Sequence, residues 1–165
     1  MNEDFMRRAI AIAERSFDEP GTLPFGAVVV RDGEIIGEGL NRSIAASDPT
    51  SHGEVEAIRD ACRRLAVTSV PGADLYTNCA PCHMCLATMY LSGIETLYYA
   101  AGPEDGADLF RRLVAADSAW ARPISAADLC REIALPADQR TMPSHQVLAD
   151  EGRRLFDAFV FRHTG

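Results

Sequence analysis

Residues 73–101 read ADLYTNCAPCHMCLATMYLSGIETLYYAA, and the fold turns on how that stretch is divided. Ala73 to Asn78, following Pro71-Gly72, is a short apolar run with the length of a buried strand. Cys82 to Leu91 has the composition of a helix, and Gly93 is placed to end it. Ile94 to Ala101 returns to β-branched and aromatic residues, a second strand. Strand, helix and strand in this span make a βαβ unit, whose strands should be parallel and joined by a right-handed crossover.

Working outward toward the N-terminus, Phe5, Met6, Ala9, Ile10, Ala13 and Phe17 recur at three- and four-residue intervals, which predicts an amphipathic helix closed by Pro20-Gly21. Phe25 to Val30 and Glu34 to Leu40 flank Asp32-Gly33, a two-residue hairpin signal. A polar loop over 42–51 precedes Val55, Ile58, Cys62 and Leu65, the apolar stripe of a second helix. The order is αββαβαβ. Beyond Gly102, helices are expected near Asp108 to Ala116, Ala126 to Ile133 and Val147 to Arg162, with no strand among them. At 165 residues the chain is expected to form one domain, 1–165, able to bury its own core.

The chemistry-bearing residues fall at two predicted helix starts. Pro81-Cys82-His83-Met84-Cys85 places two thiols within one turn, and His52-Gly53-Glu54 opens the earlier helix. His52, Cys82 and Cys85 supply three metal ligands, and three protein ligands leave a fourth tetrahedral position open, the arrangement of a catalytic rather than a structural zinc. One Zn2+ per subunit is expected. Glu54 is near enough to act as general base and acid without being a ligand. Two helix N-termini facing the metal would help keep thiolates ionised. A closed structural site with Cys79 as fourth ligand is the competing reading, as is a non-catalytic zinc scaffold, although a scaffold has no use for Glu54.

Composition narrows the partners. The five cysteines, an odd number with three of them inside 79–85, fit metal ligation in a reducing cytoplasmic compartment better than a disulfide framework. No apolar run approaches the ~20 residues of a membrane span. The formal charge of −8 argues against a nucleic-acid partner. All 16 basic residues are arginine, which excludes Schiff-base chemistry from lysine. The doublets Arg7-Arg8, Arg63-Arg64, Arg111-Arg112 and Arg153-Arg154 read as solvated helix faces.

H-x-E followed by P-C-x-x-C is the signature of zinc-dependent nucleobase deaminases, and with the element order it resembles the cytidine deaminase superfamily over most of the chain. That resemblance implies a three-layer α/β/α cytidine-deaminase-like fold with a mixed central sheet. Pro24-Phe25-Gly26-Ala27-Val28, Asn41, Asp48-Pro49-Thr50 and Leu75-Tyr76-Thr77-Asn78-Cys79 are most similar to the branch holding bacterial guanine deaminases and tRNA adenosine deaminases. Arg131-Glu132-Ile133, Pro136-Ala137, Arg140-Thr141-Met142-Pro143 and Gln146-Val147 resemble the tail of the guanine deaminases. The implied activity is hydrolytic deamination of a small-molecule heterocyclic base, a free purine with guanine first. Phe25 would line the pocket, Asn41 would hydrogen-bond the base, and Gly53 would offer its N–H to a substrate carbonyl while crowding the site less than alanine. A homodimer is implied, with residues ~145–165 a lid or swapped tail.

The chain also departs from that pattern. Those guanine deaminases carry a second, proton-shuttling acid in a Phe-Asp-Asp run, whereas the region here reads Ile124-Ser125-Ala126-Ala127-Asp128 after an insertion spanning Arg111 to Pro123. Asp117 and Asp128 are the candidate substitutes, and His163 either replaces the family's C-terminal aromatic or belongs to a frayed terminus. His83 is either pocket-lining or solvent-facing. A cytosine or triazine base deaminase and a tRNA adenosine deaminase are therefore kept as alternatives, with specificity expected in Phe25, Asn41, residues 102–130 and the tail.

Overall fold

The computed structural model describes residues 2–164. Four strands form one sheet in the order β2-β1-β3-β4: β1 (Leu23–Arg31), β2 (Glu34–Asn41), β3 (Ala73–Cys79) and β4 (Ile94–Ala101). β1 pairs antiparallel with β2 and β3, while β3 and β4 are parallel. The sheet is therefore mixed, as expected. The helices with it are α1 (Glu3–Glu14), α2 (Gly53–Leu65), α3 (His83–Ser92) and α4 (Pro103–Ala116). The first helix is α-helical only to Glu14 and tightens to a 3₁₀ turn over Arg15–Phe17. Asp32 and Gly33 both take positive φ, the primed turn that matches the twist of a hairpin.

Strand alternation sorts the core into two layers. Val28 and Val30 of β1, with Leu40 and Tyr76, bury against Ala9 and Ile12 of α1. Ala27 and Val29 face the other way, into Val55, Ala57, Ile58 and Ala61 of α2 and Cys85 and Met89 of α3. Successive side chains of a strand point to opposite faces, so a strand buried on both sides needs the unbroken apolar run found at Ala27-Val28-Val29-Val30. The result is the three-layer α/β/α architecture.

Two glycines of β2 set how closely α2 lies on the sheet. A β-carbon on Gly37 would come 2.3 Å from the Ala57 carbonyl oxygen, and one on Gly39 would come 2.1 Å from that of Gly53. Only hydrogen at these positions lets the backbones meet, which brings the start of α2 down onto the end of the hairpin.

The described residues group into two compact units divided between Pro123 and Ile124. The second contains α5 (Ala126–Ala134) and α6 (Ala149–Thr164). Ser125 caps α5 by accepting from the Asp128 N–H. The segment joining its helices is tied by Arg140 to the Leu135 carbonyl and by Glu132 to the Thr141 N–H. No helix of the described residues is long and apolar enough to cross a membrane.

Candidate metal centre and active site

His52 is the N-cap of α2 and Cys82 the N-cap of α3, both with extended backbone, and neither side chain caps its own helix. The side chains converge instead. His52 Nδ1 lies 3.5 Å from Cys82 Sγ and 3.4 Å from Cys85 Sγ, and the two sulfurs are 3.6 Å apart. A tetrahedral zinc, with Zn–S of about 2.3 Å and Zn–N of about 2.0–2.1 Å, requires sulfur–sulfur and sulfur–nitrogen edges of about 3.8 and 3.6 Å. The observed triangle fits, and two thiols with one imidazole are the donor set zinc prefers. Among the described residues these three form the group able to hold a metal ion.

Cys79 does not join them. Its thiol is buried at the end of β3 against Gly102 and Gly106, and burial pushes its pKa up. The ligand set is thus three protein groups, which leaves a coordination position for water and separates this site from a closed structural one.

Charge is arranged around the triangle. The Cys85 thiol, by hydrogen-bonding to Cys82, pulls the Cys82 pKa down to about 3 against the cost of burial, with His52 adding to the effect. Cys85 is correspondingly pushed up, by Cys82 first and by burial second. Glu54, in the first turn of α2, is buried, and desolvation pushes its carboxyl above the ordinary range.

The other anticipated residues lie on β1, β2 and the first turns of α2 and α3. Gly53 sits between ligand and carboxylate, and a β-carbon there would come 2.4 Å from the Phe25 carbonyl oxygen. Close backbone approach, rather than open space in a pocket, is what requires glycine. Asn41 is buried at the end of β2, where its Oδ1 accepts from the N–H and hydroxyl of Ser43. Its amide nitrogen has no protein partner among the described residues. His83 has a buried Nδ1 without a hydrogen-bond partner, which removes the solvent-facing reading for that atom.

The two candidate acids are engaged locally. Asp117 accepts from the Ala119 N–H, and Asp128 pairs with Ser125 and Arg131 inside the second unit. His163 stacks on Phe159 of its own helix.

Three further residues pack around Phe25 or extend from it: Asn78 was quoted only as part of a motif, and Phe110 and Arg122 lie in the 102–130 region without having been named individually. Asn78 accepts from the Gly26 N–H at 2.8 Å and donates to the Pro24 carbonyl at 3.0 Å, bracketing Phe25. Phe110 of α4 stacks on Phe25, and the guanidinium of Arg122 lies 3.5 Å over the Phe110 ring. Phe110 is part of an ordinary amphipathic helix, and Arg122 lies in a segment without periodicity, so neither carried a local signal.

With the site defined, comparison with known proteins is informative. Residues 1–101 match the family model described as the cytidine and deoxycytidylate deaminase zinc-binding region. The chain is 37% identical over 158 residues to guanine deaminase of Bacillus subtilis, covering 96% of this chain and 93% of that protein. The solved structure of that guanine deaminase superposes with a TM-score of 0.83 at 36% identity, over 100% of this chain and 96% of the other. A tRNA-specific adenosine deaminase of Aquifex aeolicus is 41% identical over 99 residues, covering 60% of this chain and 65% of that protein.

Proposed function

Because this chain belongs to the cytidine and deoxycytidylate deaminase family and is a zinc-dependent deaminase, we propose that its substrate is a free purine base, guanine first. The near full-length likeness to a guanine deaminase carries that choice. The tRNA-deaminase likeness covers only 60% of the chain, and the charge of −8 offers no excess of cations for a phosphate backbone. Arg7, Arg64 and Arg153 each pair with an acid on their own helix, and Arg111 and Arg112 share Asp108.

His52, Cys82 and Cys85 would hold the zinc, which when bound supplies Lewis acidity that lowers the pKa of a coordinated water to about 7. The Glu54 carboxylate takes a proton from water as its oxygen adds to C2 of guanine, and passes that proton to the adjacent ring nitrogen. The remaining proton is delivered through the same carboxyl to the departing amine. The C2–N bond then breaks to give ammonia, and the oxygen stays on C2, giving xanthine. A carboxyl whose pKa is raised by burial is suited to return the proton it takes. In this reading the Asn41 amide nitrogen donates to the base, the Gly53 N–H donates to a base oxygen, and the Phe25 ring forms the wall beneath.

The reading extends to a cytoplasmic homodimer. All the cysteines among the described residues are free thiols, which suits a reducing compartment. Tyr90 and Leu91 of α3 are 84% and 85% exposed, an apolar pair that a second copy would cover. Leu155, Phe156, Phe159 and Phe161 of α6 are likewise exposed, in keeping with residues ~145–165 serving as a segment that closes over a neighbouring subunit.

The test is ammonia and xanthine production from guanine by zinc-loaded protein, with Glu54→Gln as the blank. Turnover lost in the variant while zinc content is unchanged is the expected result. Guanine left intact alongside turnover of cytosine or ammeline would overturn the purine assignment.

A further inference from the structure

A continuous wall runs from the metal ligands to the segment after α4. It begins at Phe25, whose carbonyl abuts Gly53 between His52 and Glu54. The rings of Phe25 and Phe110 are nearly parallel, at 14°, with centroids 6.0 Å apart. The wall ends at Arg122, with its guanidinium carbon 3.5 Å from the Phe110 centroid. Arg122 is held there from both sides. The 3₁₀ turn Ser118–Trp120 before it is capped by Asp117, and Pro123 after it restricts Arg122 to extended backbone.

The position is an unusual one for an arginine. Arg122 is exposed as a residue, but its guanidinium laid over Phe110 is partly desolvated, which pushes its pKa down, and the charge of Cys82 acts in the opposite direction. Among the described residues no carboxylate forms an ion pair with it, whereas many other arginines of the chain have one. An aromatic face offsets part of the desolvation of a cation, yet stacking uses the flat side of the guanidinium. The N–H donors around its edge have no partner among the described residues. Arginine offers donors only, in a planar fork that matches two adjacent acceptors. An oxo group beside a ring nitrogen presents such a pair, as at the O6/N7 edge of guanine.

We propose that Arg122, stacked on Phe110, is a specificity-determining residue that binds the edge of the substrate base carrying an oxo group beside a ring nitrogen, away from the amino group that leaves. This rests on the deaminase reading above and extends it: the enzyme selects amino-oxo heterocycles over their all-amino or unsubstituted counterparts. A 6-amino group would place donor against donor. A missing oxo group would leave the guanidinium without its acceptor, which is how a polar site rejects an analogue more strongly than an apolar one does.

The experiment compares kcat/KM for guanine and 2-aminopurine in zinc-loaded wild type, Arg122→Ala and Arg122→Lys, with zinc content and circular dichroism confirming that each variant is folded and loaded. The guanine-to-2-aminopurine ratio should fall about 5- to 150-fold in Arg122→Ala, the range set by one bidentate arginine contact to a base. Lysine keeps the charge without the fork and should restore only part of the ratio. An unchanged ratio, with both bases slowed equally, would overturn the proposal and make Arg122 structural. If wild type acts on neither purine, the guanine reading fails on its own, and the ratio is read for ammeline against melamine, an oxo/amino pair on a triazine. Its collapse in Arg122→Ala supports the assignment and its constancy overturns it. Inactivity on all four bases overturns both readings.

Discussion

The Phe25 carbonyl oxygen lies 2.4 Å from where a β-carbon on Gly53 would stand, so one residue between a metal ligand and the buried Glu54 is in backbone contact with the strand beneath. A methyl group cannot enter that gap unless the first turn of α2 lifts away from β1. Gly53→Ala should therefore move His52 and Glu54 together, although alanine is the better helix former by about 1 kcal/mol. The expected outcome is a loss of at least tenfold in kcat/KM with weakened zinc retention against a chelator. Unchanged kinetics and zinc content would show that the helix start accommodates the methyl group without shifting.

Zinc stabilises the folded chain through mass action, because the ligand triangle exists only in the folded state. The core does not depend on it alone: Val28 and Ile12 are fully buried in the layer between the sheet and α1, apart from the layer that contains Cys85. Chelation should lower Tm by several degrees while leaving the far-ultraviolet circular dichroism at 25 °C unchanged, unlike the unfolding seen in zinc fingers. Cys85→Ser should abolish zinc retention and show the chelated Tm with or without added zinc. A Tm for Cys85→Ser that still rises with zinc would place the metal elsewhere.

Acid stability has a traceable contributor away from the site. Arg8 of α1 grips Glu38 of β2 through two hydrogen bonds of 2.7 Å, and the Arg8 hydrogen bond holds the Glu38 carboxyl below its ordinary pKa. A depressed folded pKa contributes stability that is full above the unfolded value, near pH 4.3, and is lost as pH falls through the folded value. Arg8 is half exposed, so screening limits the pair to about 0.5–1 kcal/mol. Glu38→Gln should lower Tm by about 2 °C at pH 7 and converge with wild type below about pH 3. A difference that persists at pH 3 would assign the effect to packing.

The sheet, the ligand triad and the first three long helices were legible because each depends on local pattern. Ala27 to Val30 is apolar at every position since both faces are covered, Asp32-Gly33 carries the backbone preference of its turn, Cys82 and Cys85 keep a spacing set by one helical turn, and His52 opens the earlier helix. Beyond Phe25 only the region was legible, since residues 102–130 were expected to carry specificity without Phe110 or Arg122 being named. Phe110 and Arg122 reach Phe25 through tertiary placement of a helix and a turn, and nothing in a periodic reading distinguishes the arginine that stacks from those that pair with acids on their own helices. The reason for Gly53 was also hidden, because a glycine required by a neighbouring strand has the same letter as one that leaves room for a ligand.

Asn78 restrains the backbone around Phe25 through a defect in pairing. The register between β1 and β2 is irregular from Leu23 to Gly26, so the backbone around Phe25 lacks part of its ladder. The Asn78 side chain supplies the missing partners, accepting from Gly26 and donating to Pro24. Removing it leaves two partly buried backbone groups unsatisfied, a cost of about 1–3 kcal/mol, and frees Phe25 to shift relative to Gly53 and Phe110. Asn78→Ala should lower Tm by several degrees and raise KM more than it lowers kcat, since the wall moves while Glu54 and the ligands stay in place. Asn78→Asp keeps the acceptor for the Gly26 N–H but sets a carboxylate oxygen against the Pro24 carbonyl, so it should do no better than alanine in stability. A kcat loss without a KM change in Asn78→Ala would instead place the disturbance at Glu54 and discount the role of Phe25 as a binding wall.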